Sequence, residues 1–136
     1  MPTLPLLPDD SRTLTDILPL RIARGTTRFV CVADIATISA EKNHSTVALV
    51  NGRRLRVRCP MSRWETLLPS AQFVRVHRQH IVNVGQLRAI ERLTDDTSLL
   101  EVTGAAAPMR ASYRYLPTLR ARLAARQPPD AESPAR

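Results

Sequence analysis

Phe73-Val74-Arg75-Val76-His77-Arg78-Gln79-His80-Ile81-Val82-Asn83 is the stretch on which the reading of this chain turns. Its first half alternates: Val74 and Val76 can face a core while Arg75 and His77 face outward, the period-two pattern of a half-buried strand. Arg78-Gln79-His80 then makes a short polar interruption before the apolar Ile81-Val82. Exposed arginine, histidine and glutamine at a strand end suit phosphate oxygens and base edges. His77 and His80 also form an H-x-x-H, but on a strand end that spacing directs the two rings to opposite faces and not onto one metal ion.

Outward from this stretch, short alternating runs recur between turn residues, the signature of a small β-rich domain. The expected strands are Leu20–Ala23, Arg28–Val32, Thr37–Ala40, Ser45–Val50, Arg54–Cys59, Phe73–Val76, Leu87–Leu93, Ser98–Val102 and Pro108–Ala111. The Asn51-Gly52 pair sets one register. A two-residue loop would put Leu49 and Arg54 on one face and mix apolar with charged groups. A three-residue loop with Gly52 at positive φ and a bulge shifts the parity by one. Ser45, Val47, Leu55 and Val57 then share one face, and Thr46, Arg54, Arg56 and Arg58 the other. Burial selects the second register.

Two helices are expected. Ser62-Arg63-Trp64-Glu65 has the form of a capping box, and Trp64, Leu67 and Leu68 supply an apolar face ended by Pro69. Leu116, Leu119 and Leu123 lie at helical spacing, with a turn first and Pro117 in the opening turn of the helix proper. Residues 1–19 carry four prolines and read as a leader or linker, residues 20–126 as the folded domain, and residues 127–136 as a disordered tail.

The chain has 136 residues, enough for one core, and no apolar run long enough to span a membrane. Its start has no basic region of the kind a signal peptide needs. Cys31 and Cys59 have no paired spacing and read as reduced thiols of a cytoplasmic protein. Formal net charge is +8. Leu20–Arg126 holds 18 basic residues against 7 acidic ones, a balance of +11, while the flanks carry −3. A basic body with acidic ends points to a polyanion, nucleic acid before an anionic membrane surface. All basic residues but Lys42 are arginines, whose forked guanidinium fits phosphate and guanine.

At Phe73–Asn83 the sequence resembles the LytTR family of bacterial DNA-binding domains, whose core motif is close to F-x-R-V-H-R-S-x-I-V-N. Phe73, Arg75, Val76, His77, Arg78, Ile81, Val82 and Asn83 are in register with it, and Gln79 stands where the family has serine. Asp34-Ile35 and Ile38-Ser39-Ala40 resemble the family's upstream strand. Met109–Tyr115 (MRASYRY) resembles its turn into the last helix. The resemblance covers about Leu20 to Leu123.

It implies a mostly β fold, an elongated multi-stranded β-sandwich with two short helices, one of them C-terminal. It further implies a sequence-specific regulator of transcription that reads the major groove of double-stranded DNA with loop side chains. The positions it nominates are Lys42, Asn43, His44, Arg75, His77, Arg78, Gln79 and Arg114, with Arg54, Arg56 and Arg58 as secondary phosphate contacts. Paired direct-repeat sites and association on DNA are expected, with no cofactor, metal or catalytic group and no membrane insertion. Family members commonly carry a receiver domain, which 19 leader residues cannot build. Regulatory input is therefore expected from a separate partner protein, from expression level or from the free cysteines. The alternative is a small β-barrel that binds RNA or single strands by stacking bases on exposed aromatics. Phe29, Trp64, Phe73, Tyr113 and Tyr115 are the rings available to it.

Overall fold

The computed structural model describes residues 14–22 and 25–126. The tail expected to be disordered, 127–136, and the leader up to residue 13 lie outside the described residues. Ten strands form along the chain: β1 (Ile17–Ile22), β2 (Thr26–Cys31), β3 (Ile35–Glu41), β4 (His44–Leu49), β5 (Arg54–Val57), β6 (Phe73–His77), β7 (His80–Asn83), β8 (Leu87–Arg92), β9 (Thr97–Val102) and β10 (Met109–Ser112). Helix α1 (Met61–Leu67) follows β5, and α2 (Leu116–Arg126) follows β10. A seven-stranded sheet has the order β2-β1-β5-β4-β3-β7-β6, and a three-stranded sheet the order β10-β9-β8. The architecture is mostly β with two short helices, as expected.

The β4–β5 hairpin takes the register that burial selects. Val47 pairs with Leu55 and Ser45 with Val57 on one face, all four buried, while Thr46 pairs with Arg56 and Ala48 with Arg54 on the other, where the two arginines are exposed and Ala48 is buried. Gly52, at φ 93, donates to the Leu49 carbonyl, and Leu49 in turn donates to Arg53, closing a three-residue loop. The expected stripe is shorter than three arginines, however. β5 ends at Val57, and Cys59 turns in to the core, so Arg58 lines a cleft with Arg21 and Arg63 instead.

Three further expectations are corrected. Ile17, Leu18 and Pro19, read as leader, pair with Cys31, Val30 and Phe29, and Leu18 and Leu20 are buried. Pro19 points outward at this site and had disguised the alternation. Ser62 does not cap α1: the helix begins at Met61 with Pro60 as its N-cap, because Met61 is drawn into the core and Trp64 donates its N–H to Pro60. Finally, Ile81-Val82, assigned to no strand from the sequence, forms part of β7, placed between β6 and β3.

Two cores result. The first packs Trp64, Met61 and Leu68 against one face of the long sheet, including Leu18, Ile38, Val47, Leu55 and Ile81. The second packs the opposite face at the β6–β7 end, through Val74, Val76 and Val82, on Leu100, Val102 and Ala111 of the short sheet and Leu119 of α2. A bulge after Ile35 lets β3 serve both: Ile35 and Ile38 enter the first core and Ala36 the second. Leu116 and Leu123 flank Leu119, and Pro117 sits in the first turn of α2, preceded by a 3-10 turn at Tyr113–Tyr115.

A polar hub and a close backbone approach join these layers. Asn83, almost wholly buried, donates to the Ile35 carbonyl at 2.9 Å and accepts from the Gly85 N–H at 2.9 Å and from Gln72 Nε2 at 3.2 Å. The motif's asparagine is thus a hub within the protein. Gly104, at φ 89, lies against the β4–β5 loop. A Cβ there would strike the Leu49 carbonyl oxygen and fall 2.9 Å from Val50 Cα. Gly104→Ala is expected to destabilise the fold by about 2 kcal/mol, since both neighbours are backbone and the φ is itself strained for alanine. Urea unfolding monitored by circular dichroism checks this, and an unchanged midpoint would refute the close approach.

Candidate nucleic-acid interface

Two tight turns meet at one end of the long sheet. β3 and β4 are joined by Lys42-Asn43, with Glu41 paired to His44. β6 and β7 are joined by Arg78-Gln79, with His77 paired to His80. β7 pairs with β3 through Ser39 and His80, and Ala40 donates its N–H to the Gln79 carbonyl at 2.8 Å. Sheet pairing therefore brings together residues separated by more than thirty positions in the chain. Lys42, Asn43, Arg78 and Gln79 are exposed, and His44 and His77 are half-buried. Lys42 occupies the left-handed region at φ 52, a conformation that costs a lysine more than a glycine.

The two histidines behave differently from the expectation. Their ring centroids lie 5.0 Å apart on one side of the hairpin. The reason is the turn: with only Arg78 and Gln79 between them, His77 and His80 are direct cross-strand partners, and such partners share a face. Among the described residues no third histidine, cysteine or carboxylate joins them in a metal-sized cluster. His80 Nδ1 is 3.1 Å from Ser39 Oγ, and His77 Nδ1 accepts from the Gln79 N–H at 3.2 Å. Burial pushes the His77 pKa down, and Arg78, Arg110 and Arg75 press it in the same direction. Burial also lowers His80, with His77 adding to the effect.

Arg75 is occupied within the protein. Its Nη1 is 3.2 Å from Glu65 Oε1, and its Nη2 donates to the Arg78 carbonyl. It therefore ties α1 to the β6–β7 turn. Arg114 stands on the exposed 3-10 turn after β10, a separate element that packs beside β6. Its neighbour Tyr113 donates to the Asp96 carbonyl in the β8–β9 turn at 2.9 Å. Arg54 borders a groove with Ser39, His80 and Arg110, and Arg56 pairs at 3.8 Å with Glu41, both exposed. Among the described residues only Arg56, Arg75 and Arg92 make ion pairs, so most of the positive surface is not neutralised from within.

Arg110 was missing from the expected set. It is exposed between the buried Met109 and Ala111 and acts electrostatically on His77. The alternation of Pro108–Ala111 already turned it outward, and only its proximity to His77 needed the fold. The aromatic rings do not make a stacking platform. Trp64 and Phe73 are buried, while the exposed Phe29 and Tyr113 lie on β2 and after β10.

No curated protein is a significant match to the chain. Among solved structures, a LytTr DNA-binding domain from Bacillus cereus superposes with a TM-score of 0.67 at 25% identity, over 79% of this chain and 95% of that one. The model of the LytTr DNA-binding domain family matches residues 25–124, which include both turns, Arg110 and Arg114. The chain belongs to the LytTR family of DNA-binding domains.

Proposed function

We propose that this protein is a cytoplasmic transcriptional regulator that recognises a specific double-stranded DNA sequence through side chains entering the major groove from its turns. The observation that carries this reading is the convergence of the β3–β4 and β6–β7 turns at one sheet end, with exposed Lys42, Asn43, Arg78 and Gln79. Arg78 and Arg114 fork onto guanine, while Asn43, His44, His77 and Gln79 contact base edges or phosphate. Lys42, Arg54, Arg56 and Arg58 neutralise phosphate. Arg75 serves as a positioning residue, because its guanidinium is already tied to Glu65 and to the turn. Binding to paired direct repeats, with association of two copies on DNA and input from a separate regulatory protein, completes the proposal.

Selection of sites from random duplex DNA tests recognition and spacing together. An enriched motif in two copies is expected, and recovery of unenriched DNA would reject specificity. Affinity should also fall linearly with log salt. Lys42→Gly separates charge from fold. It is expected to lower the salt slope by about 1 and weaken all duplexes alike, while relief of the left-handed strain raises stability by about 0.5–1 kcal/mol. An unchanged slope would remove Lys42 from the interface.

The histidines give two pH responses of opposite sign. Both pKa values are lowered in the folded protein, so between the folded value and the usual 6.5 the unfolded chain binds more protons. Their contribution to stability is present above 6.5 and is lost as pH falls below it toward the folded values. DNA phosphates favour the imidazolium, so binding takes up protons and the affinity of the folded protein rises over the same interval. Urea midpoints and DNA titrations at pH 7.5, 6.5 and 5.5 read the two effects separately. Affinity that is flat with pH would place both histidines away from phosphate.

A further inference from the structure

We propose that the cavity between α1, β6 and α2 binds a small organic anion with a compact apolar body, and that its occupation weakens DNA binding through Arg75. The cavity measures about 270 Å³. Its apolar part is made by Trp64, Leu68, Phe73 and Ile81, all buried. Arg75, Arg122, Glu65 and Tyr115 supply its polar part. A few convergent polar groups over an apolar floor are the usual make-up of a small-molecule site.

The charge of the ligand follows from the two arginines. Glu65 is engaged by Arg75 Nη1 at 3.2 Å, which leaves Arg122 as the uncompensated charge on the cavity wall among the described residues. Arg122 Nε donates to the Ser70 carbonyl at 2.7 Å, which aligns the guanidinium and leaves its other N–H groups for a guest. Arg75 Nε, by contrast, is buried and has no hydrogen-bond partner. A carboxylate in the cavity supplies a counter-charge to Arg122 and lies beside the Arg75 guanidinium, which also lines the wall. Its apolar body then lies against Phe73, with the buried Trp64 directly behind the cavity wall.

The link to DNA is one hydrogen bond long. The Arg75 guanidinium, beside which the carboxylate lies, also holds the Arg78 carbonyl, in the turn that carries Arg78 and Gln79. A guest that draws the guanidinium toward itself loosens that turn. This second half of the proposal rests on the DNA-binding reading above; the first half does not.

Phenylacetate is a suitable probe, since its about ten non-hydrogen atoms match a space equal to about nine waters of liquid. Trp64 is the chain's only tryptophan and sits directly behind the cavity wall, so its fluorescence reports occupation. The full chain titrated with phenylacetate is expected to give a saturable change. Affinity should fall about tenfold for Arg122→Gln and for the neutral isostere phenylacetamide, as loss of a charge-assisted contact requires. Acetate, which has the charge without the ring, should leave the fluorescence unchanged. A flat phenylacetate titration of the folded chain, or equal responses to the acid and the amide, overturns the site. A second titration, of DNA into protein saturated with phenylacetate, should show affinity lowered about threefold or more, within the range of ordinary allosteric couplings. Unchanged or tighter DNA binding overturns the coupling alone. A chain that binds no DNA at all defeats the functional reading and leaves the fluorescence result standing.

Discussion

Trp64→Ala is expected to cost the fold about 3–5 kcal/mol, the range for truncating a fully buried large aromatic. Against a total of about 5–15 kcal/mol for a domain of this kind, that is a large fraction. Two losses combine. The indole has no exposed surface and is the largest side chain in the first core, where α1 meets the long sheet. Its Nε1 also donates to Ser45 Oγ at 2.9 Å, and Ser45 in turn donates to the Cys59 carbonyl. Alanine leaves a void next to an existing cavity and removes a donor from a buried hydroxyl. Trp64→Phe keeps most of the ring and loses the N–H, so about 1–2 kcal/mol is expected. Because the substitution removes the chain's only tryptophan, urea unfolding should be followed by far-ultraviolet circular dichroism. A loss below about 1 kcal/mol for the alanine variant would mean that α1 is not held as described. The consequence reaches the interface, since Ser45 follows His44 directly in β4.

The parts of this fold that were legible in the sequence were those where burial leaves one choice. The β4–β5 register is such a case: the alternative would have put Arg54 on one face with Leu49, and a shift of one residue removes that conflict. Trp64 and Leu119 were legible for the same reason, each on a helix whose apolar face had nowhere else to go. What escaped detection was decided by pairing at long range or by very short turns. β7 spans only His80–Asn83, too short for alternation to register, and its place between β3 and β6 is a matter of topology. Missing β7 entailed misplacing His80, because a strand end and a two-residue hairpin send the same H-x-x-H to different faces. The capping box failed through competition: Ser62 has the right spacing, but the burial of Met61 moved the helix start. Arg75 shows the limit for sites. Outward alternation made it a candidate for DNA, and only the fold reveals that Glu65 and the Arg78 carbonyl already claim its guanidinium.

The double variant Arg78→Ala with Arg114→Ala is expected to lose about 2–6 kcal/mol of affinity for a selected site, with each single variant losing about 1–3 kcal/mol. Additivity is expected because the two residues stand on different elements and share no partner among the described residues. Both are exposed, so their removal should leave the unfolding midpoint unchanged. Nor does truncating Arg78 free the turn, because Arg75 holds its backbone carbonyl and not its side chain. Arg75→Ala is the informative contrast. It cuts the tie to the turn and leaves Glu65 without its cation, so it should weaken binding while altering no single base preference. Arg54→Ala, on the outer face of β5, should weaken every duplex by a smaller and uniform amount. Base-by-base competition on the selected site distinguishes these roles. Arg78→Ala and Arg114→Ala should each relax discrimination at a different position, as loss of a forked contact to guanine requires. Full affinity of the double variant, with an unchanged circular dichroism spectrum, would mean that the turns do not read DNA and that recognition lies elsewhere on the basic surface.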